Sequence, residues 1–353
     1  MKSLFNIRLS IAIFAAMCIF TLNSAAQTPP PPAATPTPRV TEDTEVIRVD
    51  TELVNLNVRV VDRLSRPISN LKPSDFQIYE DNVLQQIEFF SQSEVPTNYS
   101  MVIDNSGSLR SQIEKVIEAS KILINSNRPG DETSIIRFVG RDKIEILQDF
   151  TPDKDDLEYA VENLHIDGGQ TALIDAIYLA AERVNEYQQT VGDPDNKRRA
   201  LILVSDGEDR NSFYNEKQLF QLLSETNVQI YIVGFVKDLD DKSGFIRKSE
   251  QSKARSFLQK LATETGGRAY FPDSLGDLNN IAREISTELR TQYSIGYLPT
   301  NDREDGTFRN IRVTVKDGPD SQKRIAITRS GRTAGRPDGS PSLQKVTQVG
   351  KDQ

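Results

Sequence analysis

Chemically versatile side chains are scarce in this 353-residue sequence, which has one cysteine, one histidine and no tryptophan. The cysteine, Cys18, lies in an N-terminal segment that we expect to be removed, so the mature chain would have no disulfide and no thiolate. A zinc site or a Ser-His-Asp triad would have to depend on the single histidine, His165. Because its sequence neighbours do not supply a zinc ligand set, we interpret His165 as a surface residue at a helix end.

The first 26 residues have the pattern of a secretory signal peptide. Lys2 and Arg8 provide positive charge, the apolar run Leu9–Leu22 follows, and small residues lead to a cleavage site at Ala26. The run of 14 residues is shorter than the roughly 20 that a membrane-spanning helix requires. We therefore predict cleavage near Ala26, no membrane span in the mature chain, and a secreted or periplasmic protein. An uncleaved N-terminal anchor is the alternative.

Negative charge predominates, with 51 acidic against 43 basic residues and a formal net charge of −8. Removal of residues 1–26 takes away two basic residues and no acidic residue, so the net charge becomes −10. Such an excess of negative charge argues against nucleic acid as a partner.

Two segments have compositions that cannot build a core. Within residues 27–44, the stretch Thr28–Pro38 contains six prolines among eleven residues, which predicts an extended proline-rich linker. Residues 331–353 are polar and rich in glycine, serine and proline, and we predict a disordered tail there.

The central part of the chain, residues 97–290, alternates between short apolar runs and longer amphipathic stretches. The runs predict strands buried on both faces at Tyr99–Ile103, Ile135–Val139, Ala200–Val204 and Gln229–Phe235. The amphipathic stretches predict helices at Ile113–Ile124, Leu157–Leu164, Ala172–Tyr187, Lys217–Leu223 and Leu278–Leu289. This alternation predicts an α/β fold with a doubly wound, mostly parallel sheet.

The two flanks of this module have a different period. Apolar and polar residues alternate from Val54 to Val60 and again from Tyr293 to Tyr297, which is typical of half-buried strands. Neither flank, residues 45–95 or residues 291–330, is long enough for a core of its own. We therefore predict that they pair into one flanking β-sandwich-like domain, with the central module inserted between them.

Three oxygen-rich loops are expected at one edge of the predicted sheet. The first, Asp104–Ser108, follows the first central strand and has Asp, Ser and Ser at alternate positions. The second, Gly168–Thr171, opens a helix, and the third, Ser205–Asp209, follows a later strand. Ligands bind at the carboxyl ends of strands in a doubly wound sheet, so these loops predict a shared site.

The order DxSxS, GGxT and SDG resembles the metal-ion-dependent adhesion site of von Willebrand factor type A (VWA) domains. The resemblance implies that Ser106, Ser108 and Thr171 are hydroxyl ligands of a divalent metal. It also implies that Asp104 and Asp206 supply carboxylates, one or both through a bound water. It covers about residues 97–290.

The flanks resemble the bacterial proteins called VWFA-related, best known from acidobacteria. The matching stretches are Leu71–Gln86 and Tyr293–Pro299. For the chain as a whole, the resemblance implies a protein-binding or adhesion module rather than an enzyme.

The chemistry of the ligand set favours a hard cation with an open position. Mg²⁺ prefers six oxygens in a near-octahedral array and keeps several waters, so a few protein oxygens suit it; Mn²⁺ or Ca²⁺ are alternatives. Three of the five proposed ligands are neutral hydroxyls, so the protein charge only just offsets the ion. We expect the open position to take an acidic side chain from a protein partner.

Other interpretations of these loops stay open. Each loop alone could be a helix cap or a turn, and the metal could serve stability alone. A metal-assisted phosphohydrolase with DxD on this strand would use the first aspartate as nucleophile, but the second position here is Ser106. Since the three loops show no nucleophile–base pair, we predict no catalytic residue.

Further polar residues lie near the predicted site. Asp175 and Asp209 could accept hydrogen bonds behind the ligands, although solvated positions suit their residue type better. The stretch Val236–Arg255 has ten charged residues and is predicted as a long loop that borders the site. Loops of that length are often functional or disordered.

Overall fold

The structure, a computed structural model of the chain, describes residues 53–190, 197–236 and 247–335. The expected signal peptide (1–26) and proline-rich linker (27–44) lie outside the described residues. Within the part that is described, no helix is both long enough and apolar enough to span a membrane.

Strands and helices follow one another along the described chain in three groups. The strands are β1 (Val54–Val61), β2 (Phe76–Glu80), β3 (Val83–Gln85), β4 (Ile87–Ser91), β5 (Thr97–Asp104), β6 (Glu132–Phe138), β7 (Ile144–Thr151), β8 (Arg198–Ser205), β9 (Val228–Gly234), β10 (Arg268–Tyr270), β11 (Tyr293–Tyr297), β12 (Phe308–Val315), β13 (Ile325–Ile327) and β14 (Gly331–Thr333). The helices are α1 (Ile113–Asn125), α2 (Lys154–Glu162), α3 (Leu173–Thr190), α4 (Glu216–Glu225), α5 (Arg247–Thr265) and α6 (Leu278–Arg290).

The central sheet has six strands in the order β10-β9-β8-β5-β6-β7. All neighbours are parallel except β6 and β7. Every residue of β5 and β9 is buried, because helices cover both faces of the sheet. Side chains of α1, α2 and α6 pack on one face, and those of α3, α4 and α5 pack on the other. The prediction of a doubly wound, mostly parallel sheet is confirmed.

Two strands of this sheet are absent from the sequence-based prediction. The edge strand β7 is antiparallel and has no fully buried residue, so its sequence lacks the continuous apolar run of its neighbours. The other edge strand, β10, has only three residues. Edge strands bury less surface than central strands, and hydrophobic pattern alone marks them weakly.

The strands on either side of the central module form two antiparallel four-stranded sheets, with orders β13-β1-β11-β4 and β14-β12-β2-β3. The first sheet pairs N- and C-terminal strands directly, with Val54 opposite Tyr297. Leu56, Val58 and Ile78 belong to the buried core that the two sheets share. The predicted sandwich-like domain is confirmed.

The second sheet continues past residue 330, where the composition predicts a disordered tail. Gly331–Thr333 forms β14 against β12, and the described residues end at 335. A Cβ on Gly331 would lie 2.3 Å from the ring of Phe308 and 2.4 Å from the carbonyl of Arg309. Close packing requires glycine at this position, whereas in the sequence alone glycine is typical of a flexible tail. The predicted boundary at residue 330 is therefore wrong. Residues 336–353 lie outside the described residues.

The long polar loop predicted at Val236–Arg255 is shorter in the structure, since α5 begins at Arg247. Residues 250–255 belong to the first turns of α5, and among them only Ala254 is buried. The sequence of these turns therefore lacks the apolar periodicity that would predict a helix. Residues 237–246 lie outside the described residues.

Buried polar contacts join the sandwich to the central module. Arg59 of β1 forms a buried ion pair with Glu288 of α6, and Arg268 contacts the same carboxylate at 2.7 Å. At the start of β8, the buried guanidinium of Arg198 donates to the carbonyls of Leu289 (3.1 Å) and Gln292 (2.9 Å). These contacts bind the end of α6 to β1 of the sandwich and to β8 and β10 of the central sheet.

Candidate metal site

Two aspartates meet where neighbouring parallel strands end. Asp104 is the last residue of β5, and Asp206 follows directly on β8. The register aligns Ile103 with Val204, so both strands end at the same edge of the sheet. Both aspartates are buried, Asp104 completely and Asp206 with 2% exposure.

The carboxylate of Asp104 is held on both oxygens. Its Oδ1 accepts a hydrogen bond from the backbone N–H of Ser106 (2.9 Å), and its Oδ2 accepts one from the Ser205 hydroxyl (2.9 Å). That hydroxyl in turn accepts from the N–H of Gly207 (3.0 Å). Sequence reasoning assigned Ser205 no role, although its place at the end of a strand beside Asp206 is the signal that could have found it.

The hydroxyls of Ser106 and Ser108 lie together on the first loop. Their Oγ atoms are 2.8 Å apart, with Ser106 buried and Ser108 exposed. The loop is fixed behind them by Asn105, whose side-chain amide donates to the carbonyl of His165 (2.5 Å). Two hard oxygens therefore face each other beside Asp104.

Backbone hydrogen bonds hold Thr171 and its neighbour to the segments that follow β8 and β6. Its carbonyl accepts from the N–H groups of Arg210 (2.8 Å) and Asn211 (3.0 Å), on the loop after β8. The next residue, Ala172, donates its N–H to the carbonyl of Val139 (3.1 Å), just after β6. The approach requires glycine, because Gly169 has φ +147° and a Cβ there would lie 2.7 Å from Val139.

Among the described residues, no basic side chain forms a salt bridge with Asp104 or Asp206. Asp206 Oδ1 accepts from the N–H of Glu208 (2.9 Å), but its buried Oδ2 has no hydrogen-bond partner among the residues that the structure describes. Burial, and secondly repulsion from Asp206, raises the pKa of Asp104 to about 7. An unpaired buried carboxylate oxygen is costly unless a cation or donor reaches it.

The donor set fits a hard divalent cation. Two carboxylates and three hydroxyls, from Asp104, Ser106, Ser108, Thr171 and Asp206, offer only oxygen, as Mg²⁺ prefers. Within residues 53–190, 197–236 and 247–335, no cluster combines three or more His, Cys, Asp or Glu side chains. An acid-rich, closed calcium cage is therefore not what this part of the chain provides.

Asp175 and Asp209 act as hydrogen-bond acceptors behind the site. Asp175 is buried, and its carboxylate accepts from the N–H groups of Phe213 and Tyr214, each at 2.9 Å to Oδ1. Asp209 Oδ1 accepts from the N–H of Ile174 (3.2 Å). The interpretation of Asp175 as a solvated position is wrong, because backbone donors from a distant loop satisfy it.

His165 lies at the surface, as predicted from the sequence. Its side chain is 60% exposed, and its ring nitrogens contact the guanidinium of Arg137 at 2.9 and 3.3 Å. The contribution of this residue to the candidate site is its carbonyl, which holds Asn105.

This topology defines a doubly wound α/β domain. Residues 100–284, more than half of the chain, match the von Willebrand factor type A domain family. The chain therefore belongs to this family. Its members commonly mediate protein–protein interactions through a metal at the metal-ion-dependent adhesion site, and they are generally not enzymes.

Several solved structures are similar to this chain at low identity. An aerotolerance-related membrane protein from Bacteroides fragilis is 20% identical, with 55% of this chain and 98% of that one covered and a TM-score of 0.42. A von Willebrand factor type A protein from Catenulispora acidiphila is 15% identical, with 79% and 73% covered and a TM-score of 0.44. Proximal thread matrix protein 1 from the mussel byssus, with a zinc-occupied site of this type, is 16% identical, with 56% and 48% covered and a TM-score of 0.43. Among curated proteins, none matches this sequence.

Proposed function

We propose that this protein is an exported binding module that captures a protein partner through a divalent cation. The cation is held by Asp104, Ser106, Ser108, Thr171 and Asp206, and an acidic side chain of the partner completes its coordination. Mg²⁺ is the proposed ion, with Mn²⁺ and Ca²⁺ as alternatives. The observation that carries the proposal is the buried, unpartnered Oδ2 of Asp206 beside the buried carboxylate of Asp104.

Preorganisation supports a binding role. The backbone and Ser205 already orient Asp104, and backbone donors from the loop after β8 already fix Thr171. A cation would therefore enter a site whose protein ligands need little rearrangement. When bound, it would supply a positive charge that attracts a carboxylate, and this chain's two carboxylates leave that charge close to balanced.

The same geometry argues against a phosphohydrolase. A phosphohydrolase of that kind carries DxD on this strand, and the position of its second aspartate is occupied here by the hydroxyl of Ser106. The Ser106 hydroxyl contacts the Ser108 hydroxyl (2.8 Å) and also the Asp104 carboxylate, which the proposal assigns to the cation. The three described loops contain no histidine or lysine to serve as a general base.

Partner capture tests the proposal most directly. The full chain, immobilised with and without Mg²⁺, is exposed to an envelope extract of the source cells, and bound proteins are eluted with EDTA. We expect a defined set of proteins to elute with EDTA from wild type. Thr171→Ala should reduce this set strongly while lowering stability little, since it removes one neutral oxygen and no charge.

Thr287→Ala is the matched control, because Thr287 is exposed on α6 and bonds only within its own helix. It should capture partners as wild type does. If captured proteins remain bound in excess EDTA, or if Thr171→Ala unfolds the chain, the metal is structural and the capture proposal fails.

A further inference from the structure

An exposed aromatic ring stands beside the candidate metal site. The ring belongs to Phe213, which is 55% exposed and lies on the loop between β8 and α4. Two residues earlier, the backbone of the same loop bonds to the Thr171 carbonyl. A single exposed ring is common on protein surfaces, so the contacts around Phe213 decide what it indicates.

The loop is fastened to the first turn of α3 by paired contacts. Asp175 accepts from the N–H of Phe213 and of Tyr214, and its own N–H donates to the Ser212 hydroxyl (3.1 Å). Asp209 accepts from the N–H of Ile174 (3.2 Å). The backbone under the Phe213 ring is therefore fixed relative to Thr171, which precedes α3 by two residues.

Stacked rings hold the side chain itself. Tyr214 stacks on Tyr178 of α3, with ring centroids 3.8 Å apart and planes 6° apart. Phe213 meets Tyr214 edge-on at 5.2 Å. Such pairs add stability beyond simple burial. Tyr214 therefore holds one side of the Phe213 ring, while more than half of Phe213 remains exposed to solvent.

A basic side chain, that of Arg141, lies next to the Phe213 ring. Arg141 lies in the turn between β6 and β7, next to Gly140, whose Cβ position is 3.0 Å from the Gln170 carbonyl. The Arg141 guanidinium is 5.8 Å from the centre of the Phe213 ring and 3.9 Å from the Asp175 carboxylate. Its side chain is 43% exposed, so donors remain available to a partner.

We propose that Phe213 and Arg141 form a second contact for the captured partner, and this inference rests on the proposed function. The partner segment carries an acidic side chain for the cation and, a short distance away, an apolar side chain that packs on the Phe213 ring. An acceptor oxygen of the same segment binds Arg141. Aromatic and arginine side chains are enriched at the energetic centres of interfaces, and a ring fixed in advance loses little entropy on binding.

A displayed library of random twelve-residue peptides tests the inference with a defined probe. Peptides are selected on the full chain in Mg²⁺ and eluted with EDTA. Wild type should enrich peptides with an acidic residue and an apolar residue at a fixed spacing. Phe213→Ala should still enrich the acidic residue but lose the apolar preference. For one selected peptide, made synthetically, the Kd of the Phe213→Ala variant should be about tenfold higher than that of wild type.

Phe89→Ala is the matched control, since Phe89 is 47% exposed on β4 of the sandwich. It should select the same peptides as wild type with an unchanged Kd. Phe213→Leu keeps an apolar contact and should fall between wild type and Phe213→Ala, and thermal melts of all variants verify folding.

The outcomes separate the inference from the proposed function. If Phe213→Ala selects the same peptides with the same Kd as wild type, the second contact does not exist, although metal-dependent capture stands. If wild type enriches no EDTA-eluted peptide, capture through the cation is itself contradicted, and the second contact falls with it.

Discussion

Buried carboxylates in two regions of this molecule differ in whether a basic side chain is paired with them. In the sandwich and at its junction with α6, each has partners: Glu80 accepts from the Tyr297 hydroxyl (2.5 Å) and from Arg332 (3.0 Å), and Glu288 pairs with Arg59 and Arg268. At the carboxyl edge of the central sheet, Asp104 and Asp206 are as deeply buried. Within the described residues, neither forms a salt bridge with Lys, Arg or His.

The contrast separates stability from binding. A buried charge needs a counter-charge. Glu288 at the junction has one in Arg59, whereas Asp104 and Asp206 have none among the described residues. Strained or uncompensated groups that persist in a fold tend to mark functional sites.

Removing the counter-charge at the junction should be the most destructive change. Arg59→Ala leaves Glu288 buried with only the partly exposed Arg268 beside it. We expect the free energy of unfolding to fall by about 3–5 kcal/mol, measured by urea denaturation at neutral pH.

A double variant checks the cause of that loss. Arg59→Met with Glu288→Leu replaces the ion pair by apolar contact and should recover most of the stability. An Arg59→Ala variant as stable as wild type would show that the junction does not depend on charge pairing.

Supplying the missing charge at the metal edge should have the next largest effect. A ligand that binds only the folded state at a hundredfold excess over its Kd stabilises that state by about 2.7 kcal/mol. Saturating Mg²⁺ should therefore raise the free energy of unfolding of wild type by that amount relative to EDTA. Asp206→Ala should abolish the difference, whereas a persisting gain would locate the ion elsewhere.

Without metal, the raised pKa of the buried Asp104 should make stability depend on pH. The pKa of Asp104 is raised from 3.8 to about 7 in the folded protein, so the folded state retains a proton that the unfolded state has lost. In EDTA, the contribution of this group is fully present below pH 3.8 and is lost as the pH rises to about 7. Asp104→Asn removes the charge and should be more stable than wild type at pH 7 in EDTA.

The comparison between the two proteins across this pH range isolates the effect. Asp104→Asn should lack the wild-type decline between pH 4 and 7, and Mg²⁺ should no longer stabilise it. Parallel pH profiles for the two proteins in EDTA would mean that burial and the neighbouring Asp206 do not raise the pKa of Asp104 in the folded state.

Charges at the surface should matter least. Lys115 and Glu118 form an exposed ion pair within α1, where water screens both groups. Glu118→Gln should leave the melting temperature unchanged within error in both Mg²⁺ and EDTA. A clear loss of stability would weaken the distinction between buried and exposed charges on which the other predictions depend.

The features that the sequence predicts well are those with a strong local signal. The strand at Ala200–Val204 is a continuous apolar run, and the strand at Tyr99–Ile103 is one interrupted by Ser100. The loops that follow them carry several oxygen-bearing residues in a recognisable order. Parallel neighbours then bring these loops to one edge without further information.

Features that depend on tertiary contacts were missed. Asp175 looks like an exposed helical residue until the loop at Phe213 supplies its donors. The role of Ser205 becomes visible only because β8 lies beside β5. Likewise, Gly331 resembles a tail residue, and its place in β14 is set by close packing on Phe308.

Calorimetric titration of the full chain with MgCl₂ measures whether the buried aspartates at the sheet edge hold a cation. We predict that wild type binds one ion per chain, that Asp104→Asn does not bind it, and that Asp153→Asn binds as wild type does. Asp153 is a suitable control because it is an exposed N-cap of α2, and asparagine caps a helix equally well. Failure of wild type to bind Mg²⁺, or undiminished binding by Asp104→Asn, would contradict the account.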